Sequence, residues 1–145
     1  MTPDVNVLVA AFRSDHPHHS PALQWLNHAV QQAALRQTSL VLQAMVVAGF
    51  LRVSTNPRVF KQPDTLEDAL VFVDTLLACP GVGYQAASAH WAGLRAGCLA
   101  QQACGNLVSD VWIAATVLQW GETLCTFDRD FVRLLPPKQL LLIQP

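Results

Sequence analysis

Gly105-Asn106-Leu107-Val108-Ser109-Asp110-Val111-Trp112-Ile113-Ala114-Ala115-Thr116 is the stretch that decides how the chain is read. Ser109 is a good N-cap, which places Asp110 in the first turn of a helix running towards Trp120. Gly121 follows where a left-handed C-terminal cap is expected. Glu122-Thr123-Leu124-Cys125-Thr126-Phe127 then has a short strand pattern and ends at Asp128-Arg129-Asp130-Phe131. One carboxylate thus opens a helix and another leaves the carboxyl end of the next strand. In an open α/β sheet that edge is where ligands bind.

Working outward, a third acid stands near the other end of the chain, in Asp4-Val5-Asn6-Val7-Leu8. Asp-x-Asn-Val-Leu early, a helix-opening Asp late and Thr-Phe-Asp-x-Asp-Phe shortly after it together resemble the PIN-domain nucleases, and most of all the VapC toxins of bacterial toxin–antitoxin pairs. Arg52-Val53-Ser54-Thr55-Asn56-Pro57-Arg58-Val59-Phe60 and Asn106-Leu107-Val108-Ser109-Asp110 resemble one VapC subgroup. The resemblance spans nearly the whole chain, and the order and spacing of the motifs carry it rather than any one alone. It implies one PIN domain over residues 1–145, a three-layer α/β/α sandwich around a mainly parallel sheet. It further implies an endoribonuclease with Asp4, Asp110 and Asp128 as catalytic residues and metal ligands. The substrate would be structured RNA such as tRNA or rRNA. A small VapB-type antitoxin would lay its C-terminal segment across the active-site groove.

The residues support this chemistry independently. Strand–helix alternation implies a parallel sheet with helices on both faces, so acids after an early and a late strand face one edge. Three convergent carboxylates repel unless a cation intervenes, and hard oxygen ligands select Mg²⁺ or Mn²⁺. Asn6, Asn106 and Arg52 are the candidate substrate contacts. Asn106 reads equally as a turn residue beside Gly105. Arg52 reads as a phosphate ligand or as a solvated side chain capping helix carbonyls. Asp4 and Asn6 have a plainer reading too, a capped turn into a helix beginning near Val7.

Composition bounds these readings. The 145 residues suffice to bury a sizeable core. With 52% hydrophobic and 13% charged residues and a mean hydropathy of +0.29, the chain is apolar for a soluble monomer. A homodimer through the N-terminal half, with antitoxin over further apolar surface, is the expected cover. No apolar run reaches the roughly 18 residues of a membrane span, and no signal-peptide pattern is present, so a cytoplasmic location is expected. The net charge of −1 excludes a general electrostatic grip on nucleic acid, which a metal bound at acids can offset locally. Cys79, Cys98, Cys104 and Cys125 lack zinc-site spacing and read as reduced thiols.

Several stretches depart from the pattern or stand outside it. The helix expected over Gln43 to Val53 is where many PIN domains carry a Glu facing the metal. The subgroup register puts that slot near Val47, and no carboxylate is there. Met1-Thr2-Pro3 is short for a first strand, which is either a stub or continues upstream. Val5 follows Asp4 where the wider family has Thr or Ser, so a hydroxyl beside the metal shell is missing. Asp15-His16-Pro17-His18-His19-Ser20-Pro21 reads as a solvated entrance to a helix capped by Ser20, since i, i+2, i+3 spacing does not gather histidines for a metal. Asp64-Thr65-Leu66-Glu67 has the capping-box pattern. His90 reads as a packing or surface residue in a helix interrupted near Gly97, and Asp130 as a weaker ligand. Two rival functions remain: a catalytically impaired PIN module acting by partner or RNA binding, and a phosphotransfer domain with aspartates at strand ends. The second fits poorly, because Asp4-Val5-Asn6 is not Asp-x-Asp and Lys138 follows Pro-Pro in a loop.

Overall fold

Short apolar runs become strands and apolar stripes become helices in a computed structural model that describes residues 1–144. The order is β1 (Thr2–Pro3), α1 (Val5–Phe12), α2 (His19–Ala34), β2 (Leu40–Gln43), α3 (Ala44–Ser54), α4 (Leu66–Leu77), β3 (Val82–Gln85), α5 (Trp91–Gln101), α6 (Asn106–Trp120), β4 (Leu124–Thr126) and β5 (Leu140–Leu142). Two 3-10 turns, Arg129–Arg133 and Pro137–Gln139, lie between β4 and β5.

β1 pairs in parallel with β4, β4 with β5, and β2 with β3. The two groups meet at β1, where the Val41 N–H donates to the Met1 carbonyl at 2.8 Å. The strand order is therefore β3-β2-β1-β4-β5. From β1 the chain winds one way to β2 and β3, then returns to the other side of β1 as β4 and β5. The β1–β4 boundary is a topological switch point, and a crevice opens outside its carboxyl ends. β1 survives at two residues because the Thr2 and Asp4 N–H groups both point at β4, reaching Thr123 and Cys125 carbonyls at 2.9 and 2.8 Å. Pro3 faces its nitrogen the other way, so its missing N–H costs nothing on that side.

The core lies between the sheet and α1, α2, α3 and α6, with Leu8, Leu26, Leu40, Leu42, Val46, Phe50, Val117 and Leu124 fully buried. Each such side chain contributes about 1.5–3 kcal/mol. The Phe50 ring meets Phe12 edge-on at 5.4 Å and Phe72 at 5.4 Å, which ties α1, α3 and α4 together. A Cβ on Gly49 would stand 2.6 Å from Val5 Cγ2, so the glycine lets α3 lie close to α1.

Four local expectations are corrected. α6 starts at Asn106, with Gly105 (φ +55°) as its cap, so Ser109 is no N-cap and Asp110 sits in the second turn. Glycine reaches the positive φ that turns the chain sharply into the helix, which wins over a serine four residues later. α2 starts at His19, which leaves Ser20 and Pro21 inside its first turn, where a missing N–H has no helical partner to lose. Thr65, not Asp64, caps α4, and it exchanges hydrogen bonds with Asp68 rather than Glu67. α5 runs unbroken through Gly97, where a Cβ would meet Val111 Cγ1 at 2.9 Å. That glycine is a helix-contact residue.

Candidate active site

Asp4 is the first residue past β1 and the N-cap of α1, so the sheet and the helix start fix it together. Its carboxylate accepts from the Val5 N–H at 2.6 Å, Asn6 Nδ2 at 2.7 Å and the Thr126 hydroxyl at 2.6 Å. Thr126 Oγ1 also accepts from Asn6 Nδ2 at 2.9 Å and from the Asp128 N–H at 2.9 Å. One proton out and two in exhaust a hydroxyl. Asn6 Oδ1 takes the Phe127 N–H at 3.3 Å, which fully engages that amide inside the protein. The capped-turn reading and the site reading of Asp4 and Asn6 are thus both realised, with the helix beginning two residues earlier, at Val5.

These bonds close the floor of a cavity of about 530 Å³ at the switch point. Asp4, Asp110, Asp128, Asn6, Asn106 and Arg52 all line it, although Asp4 and Asp110 are far apart in sequence. Val5, Val9, Met45, Val53, Phe60 and Ile113 supply its apolar wall. Phe60 is held by Arg13, whose buried guanidinium lies 3.9 Å over the ring and pairs with Asp64 at 2.5 Å and Asp15 at 2.8 Å. A second cavity, of about 550 Å³ between α5 and α6, has no charged side chain in its lining.

Burial raises the Asp4 carboxyl to about 6 against the lowering effect of the Thr126 and Val5 hydrogen bonds, and Asp110 and Asp128 push it further. Asp110 is likewise raised, first by burial and then by Asp128 and Asp130, with only Arg133 opposing. Burial first, and then the repulsion between the acids, favours their neutral forms, and a cation would relieve that repulsion. Among the described residues no three Asp, Glu, His or Cys side chains converge closely enough to cage an ion by themselves. That spread donor set suits a hard ion that keeps several waters and fills only part of its shell with carboxylate oxygens. Asp4 has accepted three of the roughly four hydrogen bonds a carboxylate can take, so a lone pair is left for it.

The structure moves some roles. Asp130 donates its N–H to Asp128 Oδ1 at 2.8 Å, while its side chain is largely exposed, 3.7 Å from Arg133. His90 caps α5, is exposed, and does not line the cavity. Val47 packs partly buried against the core, and α3 turns Met45, Ala48, Gly49 and Arg52 to the cavity. The register that placed Val47 over the acids is therefore wrong, though no position of α3 carries a carboxylate. Sequence reading missed Thr126, which supplies the hydroxyl that Val5 cannot. It also missed His16, which lines the cavity. Only the position of Thr126 two residues before Asp128 could have signalled it.

Comparison with known proteins gives concordant results. A PIN-domain family model matches residues 1–134. Ribonuclease VapC25 of Mycobacterium tuberculosis is 33% identical over 131 residues, 90% of this chain and 89% of that protein. VapC ribonuclease Mb2897 of Mycobacterium bovis is 37% identical over 131 residues, 90% and 86% of the two chains. Among solved structures, the complex described as VapBC2 from Rickettsia felis bound to a DNA fragment from their promoter aligns over 99% of this chain and 98% of its own. Its TM-score is 0.62 at 19% identity, a likeness of fold.

Proposed function

The chain belongs to the PIN-domain family, and on that premise we propose that it is a VapC-type endoribonuclease toxin, hydrolysing RNA phosphodiester bonds at a divalent-metal site. The observation that carries the reading is the convergence of Asp4, Asp110 and Asp128 on one cavity at the switch point of the sheet. The relatives named as ribonucleases support the reaction class. A bound Mg²⁺ or Mn²⁺ would supply hydroxide from water and neutralise charge growing on the attacked phosphate.

The chain's own residues do the rest. Asp4, Asp110 and Asp128 would hold the ion, and Thr126 and Asn6 lock the Asp4 carboxylate in one orientation. Arg52, exposed on the cavity wall, offers a guanidinium to a phosphate oxygen. The apolar wall lowers the local polarity, which strengthens each charge interaction inside. Asn106, exposed at the start of α6, is placed for the sugar or base. The reading takes residues 1–145 as one PIN unit working in the cytoplasm on tRNA or rRNA, as a homodimer restrained by a VapB-type antitoxin. No helix among the described residues is long and apolar enough to cross a membrane.

The test is metal-dependent cleavage of total RNA by purified protein, with calorimetric titration of Mg²⁺ and Mn²⁺ in parallel. Cleavage that disappears with chelator and in Asp110→Asn is expected. Full activity in Asp110→Asn would sink the mechanism. A second reading, a catalytically impaired module that binds RNA or partner without turnover, is favoured by one observation: α3 presents no acid to the cavity. Metal binding and RNA binding without cleavage would favour it.

A further inference from the structure

A row of three rings starts beside Asp128 and ends in the cavity wall. Phe127 immediately precedes Asp128, and the His18 ring lies over it with centroids 4.9 Å apart and planes only 20° from parallel. The His16 ring follows at 5.6 Å from His18, tilted by 55°, and His16 lines the cavity together with Asp4, Asp110 and Asp128. All three rings are half-buried.

The histidines are held in place rather than solvated at random. His16 Nδ1 accepts the His18 backbone N–H at 3.1 Å, which leaves its proton on Nε2 as a donor. His19 Nδ1 is engaged by the Ala10 carbonyl at 2.9 Å. Two of the three imidazoles have thus spent a ring nitrogen on backbone, which argues against a shared metal. Pro17 fixes the loop between the ring-bearing residues. What remains is a preorganised aromatic surface beside an acidic cavity, with His16 Nε2–H as its hydrogen-bond donor.

We propose that His18 and His16, backed by Phe127, form a platform on which an unpaired nucleobase of the RNA substrate stacks, next to the phosphate presented to the acids. The proposal rests on the ribonuclease reading and names what that site selects. A flat ring accepts any base through its π-face, whereas a base still inside a duplex has no free face to offer. Because Phe127 and Asp128 are consecutive residues, the platform stands within one nucleotide's reach of the acids. His16 Nε2–H is then available to a base edge or a 2′-hydroxyl. Cleavage would therefore fall in single-stranded loops, and the preference would be for an unpaired nucleotide beside the cut rather than for a long sequence.

The experiment separates the platform from the chemistry by measuring binding in the Asp110→Asn protein with Mg²⁺ present. The probes are a short fluorescein-labelled single-stranded RNA of mixed sequence, copies of it carrying abasic nucleotides, and the matching duplex. Adding His18→Ala should weaken binding of the intact RNA by about 5- to 150-fold, the range expected for one stacked base. His18→Phe, which keeps the stack, should bind like the parent, and the duplex should bind poorly throughout. At one position an abasic RNA should bind the parent and His18→Ala equally weakly. Equal affinity of parent and His18→Ala for intact RNA overturns the proposal, as does loss of antitoxin binding with RNA binding unchanged. Should His18→Ala not fold, the parent and His18→Phe decide alone: no loss at any abasic position overturns it. Wild-type cleavage of the same RNA is followed alongside. If binding behaves as described and no RNA is cut, the nuclease reading fails while the platform stands.

Discussion

The floor and the wall of the cavity are built on opposite principles. On the floor, Asp4, Asn6 and Thr126 join β1, α1 and β4, and their side chains hydrogen-bond to one another and to adjacent N–H groups, with a lone pair of Asp4 left over. On the wall, Asp110, Asn106 and Ser109 of α6 and Arg52 of α3 line the same space, yet their side chains make no hydrogen bond among the described residues. The floor is fixed by the fold itself. The wall holds groups that the fold leaves unspent, which is the condition for binding something else. A floor substitution should therefore cost structure and activity together, and a wall substitution activity alone.

The largest expected effect tests that split directly. Asp110→Asn should lower RNA cleavage by more than about 100-fold, as loss of a charge-stabilising group does, while the melting temperature stays level or rises. Asp110 has no hydrogen-bond partner to lose, and its charge is opposed by Asp128 and Asp130. Asp4→Ala should lose cleavage as fully and also destabilise, by about 1–3 kcal/mol, because buried donors lose their acceptor. Thermal melts of both variants beside cleavage rates decide it. A thermally silent Asp4→Ala would break the contrast.

The next effect is on pH. The Asp4 carboxyl is raised from 3.8 to about 6, so its neutral form is favoured in the folded state. Its contribution to metal-free stability is complete below 3.8 and is lost as pH rises through about 6, a change on the order of 3 kcal/mol. Asp15, held low mainly by its hydrogen bond from Arg13, has the opposite sign, present above its unfolded value and lost as pH falls. The quantity to measure is thus the wild-type melting curve against pH minus that of Asp4→Asn. Without metal the difference should fall between pH 4 and 6, to about those values. With Mg²⁺ the fall should shrink, since metal replaces the proton. A difference that climbs through that window contradicts the burial argument.

How far the sequence revealed this site follows the same division. Asp4 and Asp128 were legible because each leaves a strand, and strand ends share an edge whatever the details of packing. Asp110 was found for a partly wrong reason: it reaches the cavity from the second turn of α6, because Gly105 rather than Ser109 caps that helix. Thr126 was invisible because its role depends on β1 and β4 lying side by side, which no local pattern encodes. Thr126→Val keeps the shape and removes the bond to Asp4. As a residue that orients a metal ligand, it should weaken Mg²⁺ affinity or kcat by about 10- to 100-fold with KM for RNA little changed. A change confined to KM would move Thr126 to the substrate side.

The smallest effect on metal binding is on α3, where helical phase misled the reading. A nearly all-apolar helix, with Arg52 in its last turn as its one charge, gives little polar stripe from which to tell its cavity face, so a register taken by resemblance was free to err by one position. Val47 lies against the core, and Ala48, exposed and on the cavity, is the neighbour one residue on. Gly49 has no room, since even a Cβ would collide with Val5. Ala48→Glu should therefore add a carboxylate facing Asp4 and Asp110 and tighten Mg²⁺ by about tenfold, or ~1.4 kcal/mol. The protein should stay folded, and without metal it should be slightly less stable from the added repulsion. Val47→Glu should instead destabilise by several kcal/mol, because the charge replaces a packed side chain, and leave the metal affinity of whatever folds unchanged. Calorimetric Mg²⁺ titration and thermal melts on the two variants, one residue apart, read the phase of the helix. Tighter metal binding in Val47→Glu than in Ala48→Glu would return the slot to Val47 and rotate α3 by one residue, about 100°.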